Sequence, residues 1–119
     1  PLPRGGRAVS APADDAPAAI AAGIADAEPP LRFLERDGAP RLAYRRLPGT
    51  APEASARVAG VVFLHGFMSD MQGQKALAVE ALCRRRGVAC VRFDYRGHGR
   101  SGGRVEDGSV GRWVEDALA

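Results

Sequence analysis

The sequence predicts an α/β protein in which an antiparallel hairpin leads into a parallel βαβ unit. Three observations carry that expectation. Val58 to Leu64 and Val88 to Phe93 are continuously apolar instead of alternating, as in strands covered on both faces of a parallel sheet. Between them, residues from about Gly73 to Arg86 have helical spacing. Ahead of them, two short β-prone runs flank Asp37-Gly38, a dipeptide that favours a hairpin turn.

Taken in order, residues 1–30 hold ten Ala and six Pro and read as a disordered Ala/Pro-rich tail. They lack the apolar segment of a secretory signal, and Asp14, Asp15, Asp26 and Glu28 argue against a transit peptide. Residues 31–119 form the structured domain. The runs Arg32 to Arg36 and Arg41 to Arg45 are the hairpin strands, and Pro48 to Ser55 is a polar loop. In the first helix Ser69-x-x-Gln72 fits a capping box, Ala78, Val79, Leu82 and Cys83 share a face, Glu80 lies four residues before Arg84, and Gly87 suits the stop. Val110, Trp113, Val114 and Ala117 then recur at helical spacing behind Ser109, which suits an N-cap. The strand–helix–strand order requires a right-handed crossover. A hairpin and one βαβ unit leave much apolar sheet surface uncovered, so the chain reads as part of a larger domain.

Composition narrows the function classes. Of 17 basic residues, Lys75 is the only lysine, and residues 31–119 carry 15 basic groups against ten acids. The arginines are scattered except for Arg84-Arg85-Arg86, which suits a helix C-terminus, and no recognition motif accompanies them, so nucleic acid is not an expected partner. No apolar run approaches the roughly 20 residues of a membrane-spanning helix. Cys83 and Cys90 lack the spacing of a zinc or redox motif and read as small buried hydrophobes. Reduced thiols fit a cytoplasmic location, with a mitochondrial one as the alternative.

The stretch Phe93-Asp94-Tyr95-Arg96-Gly97-His98-Gly99-Arg100-Ser101-Gly102-Gly103 admits three readings. The glycines Gly97, Gly99 and Gly102 have dinucleotide-loop spacing, which would make the chain a nucleotide-binding oxidoreductase domain. That loop must sit between strand end and helix start, whereas the next helix begins near Ser109. Gly99-x-Ser101-x-Gly103 has the spacing of a nucleophile elbow, but an elbow needs a helix directly after its serine, and His65 and His98 both precede Ser101. The remaining reading is a tight polar loop in which the glycines allow positive φ and Asp94 and Arg96 anchor the chain.

In that third form Asp94 to Ser101 resembles the loop after the fourth strand of the α/β-hydrolases. Val61 to Phe67 similarly resembles that superfamily's third strand and its His-Gly-x oxyanion turn, and Trp113-x-x-Asp116 is also similar to the superfamily. Phe67 to Ala76, with Cys90-x-Arg92-Phe93-Asp94-Tyr95, looks like the group that contains a mitochondrial palmitoyl-protein thioesterase and acyl-glucuronide esterase and its bacterial serine-hydrolase relatives. The resemblance implies the N-terminal part of an α/β-hydrolase fold, ending before the nucleophile elbow. It implies a parent serine hydrolase acting on small-molecule or acyl-protein esters or thioesters, without a metal or organic cofactor. None of the triad would lie in this chain, which alone would be inactive. The oxyanion hole would use the Phe67 backbone N–H, with Gly66 making the turn. His65, Asp94, Arg96, Gly97, His98, Gly99 and Ser101 would be supporting residues, with Ser69 capping the helix, and Met68 and Met71 would either line an acyl pocket or join the core. A non-catalytic interaction protein is the other class the sequence leaves open.

Overall fold

The computed structural model describes residues 28–50 and 59–119. Most of the Ala/Pro-rich segment, part of the polar loop and the start of the first apolar run lie outside the described residues. Glu28 and Pro29, at the end of the expected tail, are attached to the sheet: the Arg45 guanidinium pairs with Glu28 at 3.1 Å and donates to the Pro29 carbonyl at 2.5 Å.

Strands β1 (Arg32–Arg36) and β2 (Ala39–Leu47) form the hairpin around Asp37-Gly38, with Leu34 opposite Leu42 and Gly38 at φ 72°. Strand β3 (Gly60–Phe63), helix α1 (Gln74–Arg86) and strand β4 (Ala89–Phe93) make the parallel unit, Val61 pairing with Cys90 and Val62 with Val91. Strand β4 also pairs antiparallel with β2, through Tyr44 and Phe93, so the sheet order is β1-β2-β4-β3. After a single 3₁₀ turn at Val105–Asp107, helix α2 (Val110–Leu118) closes the described chain. Ser109 caps α2 by accepting the Arg112 N–H, and Gly87 ends α1 at φ 69°, its neighbour Val88 donating to the Cys83 carbonyl.

The core lies where α1 crosses β4: Ala76, Ala81, Cys83 and Cys90 are buried there, and the two thiols are free. Burial pushes the Cys90 thiol up to about 12, with Cys83 beside it adding to the shift. Three expectations need correction. The inner face of α1 is Ala76, Glu80, Ala81 and Cys83, and Leu82 is 41% exposed, because the helix turns its one carboxylate inward to meet a buried arginine. That arginine, Arg92, is fully buried on β4; its Nε donates to Glu80 at 2.6 Å, and its Nη1 donates to the Met71 carbonyl and the Gln72 side chain. The capping box does not form, since Gln72 is taken by Arg92 and Gly73 occupies the N-cap position without a side-chain bond. Finally, β3 is not covered on both faces, and Val62 and Leu64 are each more than half exposed.

Candidate oxyanion turn and its supporting loop

Behind β3 the chain turns at Gly66-Phe67-Met68-Ser69, closed by the Ser69 N–H donating to the Gly66 carbonyl at 3.0 Å. The residue that takes the left-handed conformation is Met68, at φ 63°, a region that a side chain disfavours. Gly66 is not at positive φ, and a Cβ there would meet nothing within 4 Å. Neither a positive φ nor a close contact therefore demands glycine at this position. Among the described residues, no acceptor takes the Phe67 N–H. The Phe67 ring is exposed and reaches Trp113 at 5.4 Å and His98 at 5.9 Å between centroids.

Asp94 is the hub that holds this turn to the loop after β4. The residue is 1% exposed, and its carboxylate accepts the Met71 N–H at 2.7 Å through Oδ1 and the Arg100 N–H at 2.9 Å through Oδ2. A charged acceptor strengthens both bonds, and together they join the α1 approach to the β4 loop. Two glycines make the loop possible. Gly97 sits at φ 78°, where a Cβ would lie 2.6 Å from the Arg104 backbone, and Gly99 sits at φ 50°, where a Cβ would run into the Asp94 carboxylate.

Ser101 serves the backbone. Its hydroxyl donates to the Asp94 carbonyl at 2.5 Å and accepts the Ala43 N–H at 2.8 Å, which ties the loop to β2. Neither histidine ring is bonded to that hydroxyl among the described residues, and His98 meets Ser101 through its carbonyl, which accepts the Ser101 N–H at 3.0 Å. The Met68 N–H donates to His98 Nε2 at 3.1 Å, so the His98 proton sits on Nδ1, which donates to the Arg96 carbonyl at 3.1 Å. His65 has the same tautomer: its Nε2 accepts the Tyr95 N–H at 3.4 Å and its Nδ1 donates to the Gly66 carbonyl at 2.7 Å. Both rings are buried, with 5.2 Å between their centroids. With both nitrogens of each ring committed to backbone, neither is arranged as a general base.

Arg96 anchors the loop to the last helix. It reaches α2, where Asp116 accepts its backbone N–H at 2.8 Å and its guanidinium at 2.9 and 3.0 Å, which raises the arginine's pKa further. Arg36 of β1 adds a second cation to the same buried carboxylate at 2.9 Å, and the Trp113 indole N–H donates to the Arg96 carbonyl at 3.2 Å. Asp116 and Trp113 are thus the residues whose role sequence reasoning left unassigned, although their spacing was visible. Burial, followed by the Asp116 charge, raises the pKa of Tyr95 in the same cluster.

The turn opens on a cleft of about 360 Å³ lined by Leu64, His65, Phe67, His98, Trp113 and Val114, among others. Apolar atoms dominate its wall. Neither methionine lines it: Met71 is core, 1% exposed, and Met68 projects outward from the turn, 67% exposed. No group of three or more His, Cys, Asp or Glu suitable for a metal occurs among the described residues. No described helix is long and apolar enough to cross a membrane.

No family model matches the chain. It is 44% identical over 89 residues to the mitochondrial palmitoyl-protein thioesterase ABHD10 of Homo sapiens, a match covering 75% of this chain and 27% of that protein. The counterpart of Mus musculus is 44% identical over the same share of this chain and 28% of its own length. The chain therefore spans about a quarter of the length of these curated relatives. Among solved structures, the mouse α/β-hydrolase domain-containing protein 10 superposes with a TM-score of 0.66 at 44% identity, over 75% of this chain and 33% of that one. A protein described as a hydrolase from Agrobacterium vitis gives 0.65 at 36% identity, over 76% of this chain and 35% of that one. Est1E of Butyrivibrio proteoclasticus, solved with ferulic acid bound, gives 0.60 at 26% identity, over 73% and 34%.

Proposed function

The chain carries the opening strands of an α/β-hydrolase fold, and from that premise we propose that it supplies the oxyanion turn of a serine hydrolase acting on carboxylic esters or acyl thioesters. The observation that carries this reading is the Phe67 N–H, which has no acceptor among the described residues and lies on a turn fixed from several sides and bordering an apolar cleft. A preorganised donor of this kind stabilises the negative oxygen of a tetrahedral intermediate, and an apolar cleft suits the acyl chain of the substrate. The serine, its histidine and the orienting acid belong to parts of the protein outside these residues, because Ser101, His65 and His98 are all occupied with backbone. By itself the 119-residue chain does not hydrolyse esters. The thioesterase name of the relatives favours acyl thioesters among the substrates, and their mitochondrial designation favours the mitochondrion over the cytoplasm.

The test removes the donor and keeps the turn. Phe67→Pro deletes the N–H at the second position of a turn whose third residue has positive φ, a position where proline is well tolerated. Phe67→Ala removes the ring and keeps the N–H. In the longest form of the protein that its reading frame encodes, assayed on a p-nitrophenyl ester and an acyl-thioester, Phe67→Pro lowers kcat on the order of 10²–10³-fold. Phe67→Ala lowers it far less. Equal losses in the two variants would remove Phe67 from the oxyanion role.

A further inference from the structure

Met68 is the described non-glycine residue held at positive φ, and it follows directly on the residue whose N–H is in question. A methionine stays in that conformation only where its surroundings over-determine it. Besides the turn's own bond from Ser69 N–H to the Gly66 carbonyl, it is held by an acceptor from 30 residues away, the Nε2 of His98 at 3.1 Å from the Met68 N–H. The ring is fixed in turn. Its Nδ1 proton goes to the Arg96 carbonyl, which also receives the Trp113 indole N–H, and the Arg96 backbone N–H and guanidinium are locked onto Asp116. The histidine is buried, and Trp113 packs against it edge-on at 5.5 Å. A rigid path thus runs from α2 to the turn, and the rings of Trp113 and His98 along it also form part of the cleft wall.

We propose that His98 is a positioning residue: its Nε2 lone pair holds Met68 in the left-handed conformation and thereby sets the direction of the neighbouring Phe67 N–H. This rests on the oxyanion reading of Phe67, and it adds that the turn is aimed by the loop after β4 as well as by its own sequence. The chemistry is specific to one atom. Glutamine at position 98 places a carbonyl oxygen near the place of Nε2 and retains an acceptor for Met68. Asparagine places its polar group near Nδ1, so it can satisfy the Arg96 carbonyl but leaves Met68 without an acceptor.

The first measurement uses the longest encoded form of the protein, uniformly labelled with nitrogen-15 and deuterium. Wild type shows a through-hydrogen-bond nitrogen–nitrogen coupling between the Met68 amide and His98 Nε2. His98→Asn shifts the Phe67 amide resonance and changes its residual dipolar coupling, while His98→Gln leaves both near wild type. No coupling in wild type, or equal behaviour of the two variants with the fold retained, overturns the proposal. The second measurement uses the longest encoded form of the protein with a p-nitrophenyl ester. His98→Asn lowers kcat by about tenfold or more, a part of what a lost oxyanion donor costs, with KM little changed, and His98→Gln restores most of it. In the Phe67→Pro background, His98→Asn adds no further loss, since the donor it aims is gone. If Phe67→Pro leaves kcat unchanged, the oxyanion reading fails and takes the functional half of this proposal with it. If Phe67→Pro lowers kcat and His98→Asn does not, the positioning role alone fails.

Discussion

Replacing Glu80 with alanine tests the packing of the whole βαβ unit, because it strips the charge partner from an arginine that has no route to water. Arg92 is 0% exposed and Glu80 1% exposed, and their contact is 2.6 Å. Without Glu80 the guanidinium keeps the Met71 carbonyl and the Gln72 side chain, both neutral, and the nearest remaining carboxylate, Glu28, stands 3.9 Å away and partly in water. Breaking a buried pair at one end costs about 3–5 kcal/mol. In urea, with a slope of about 1–3 kcal/mol per molar, that lowers the unfolding midpoint by roughly 1–5 M. The assay is equilibrium unfolding followed by circular dichroism, with exposed Arg85→Ala as the surface control, expected within about 0.5 kcal/mol of wild type. The double replacement Glu80→Leu with Arg92→Met removes both charges and stays close to wild-type stability or exceeds it. If Glu80→Ala costs less than about 1 kcal/mol, Arg92 is not desolvated as described and the pair does not hold α1 to β4.

The remaining predictions concern the loop and the thiols. Ser101→Ala leaves the Asp94 carbonyl and the Ala43 N–H without their partner and destabilises the chain by about 2–6 kcal/mol, at about 1–3 kcal/mol for each unpaired buried group, read by the same denaturation. Loss of a hydrolytic activity with unchanged stability would instead restore Ser101 as a nucleophile. Cys90, pushed up to about 12, favours the folded state fully below the ordinary thiol range, and that contribution is lost as pH rises from about 9 toward 12. The unfolding midpoint therefore falls above pH 9, at up to about 1.4 kcal/mol per pH unit for this thiol. Tyr95, also raised, acts in the same direction at higher pH. A Cys90→Ala chain has the shallower slope, and identical slopes would count against the burial described for Cys90.

Where local chemistry decides, the sequence was legible. Asp37-Gly38, Gly87 and Ser109 each do at the backbone what their residue type favours, and the alternation of apolar runs with a helical stretch gave the mixed sheet. The anchoring role of Asp94 and the structural role of the β4 loop were readable from a motif. What escaped depends on partners distant in sequence. Counting apolar residues placed Ala78 and Leu82 inward, and it could not see that Glu80 would be drawn in by Arg92, 12 residues on. The same arginine removed Gln72 from the capping box. The left-handed Met68 had no local signal either, since methionine does not favour that conformation and its support comes from His98.

That separation of 30 residues between the turn and its support has a temporal side. As the chain is synthesised at about 5–20 residues per second, the Phe67 turn leaves the ribosome roughly 2–6 s before His98 does. During that interval Met68 has only the turn's own Ser69-to-Gly66 bond beside it, and Asp94, which fastens Met71, has not appeared either. The turn is therefore a late-folding element in an early-synthesised segment, and it takes its final shape only after β4 has joined the sheet and the loop beyond it has closed. A nascent chain arrested between Met71 and Asp94 would carry every residue of the turn and none of the residues from the β4 loop that hold it.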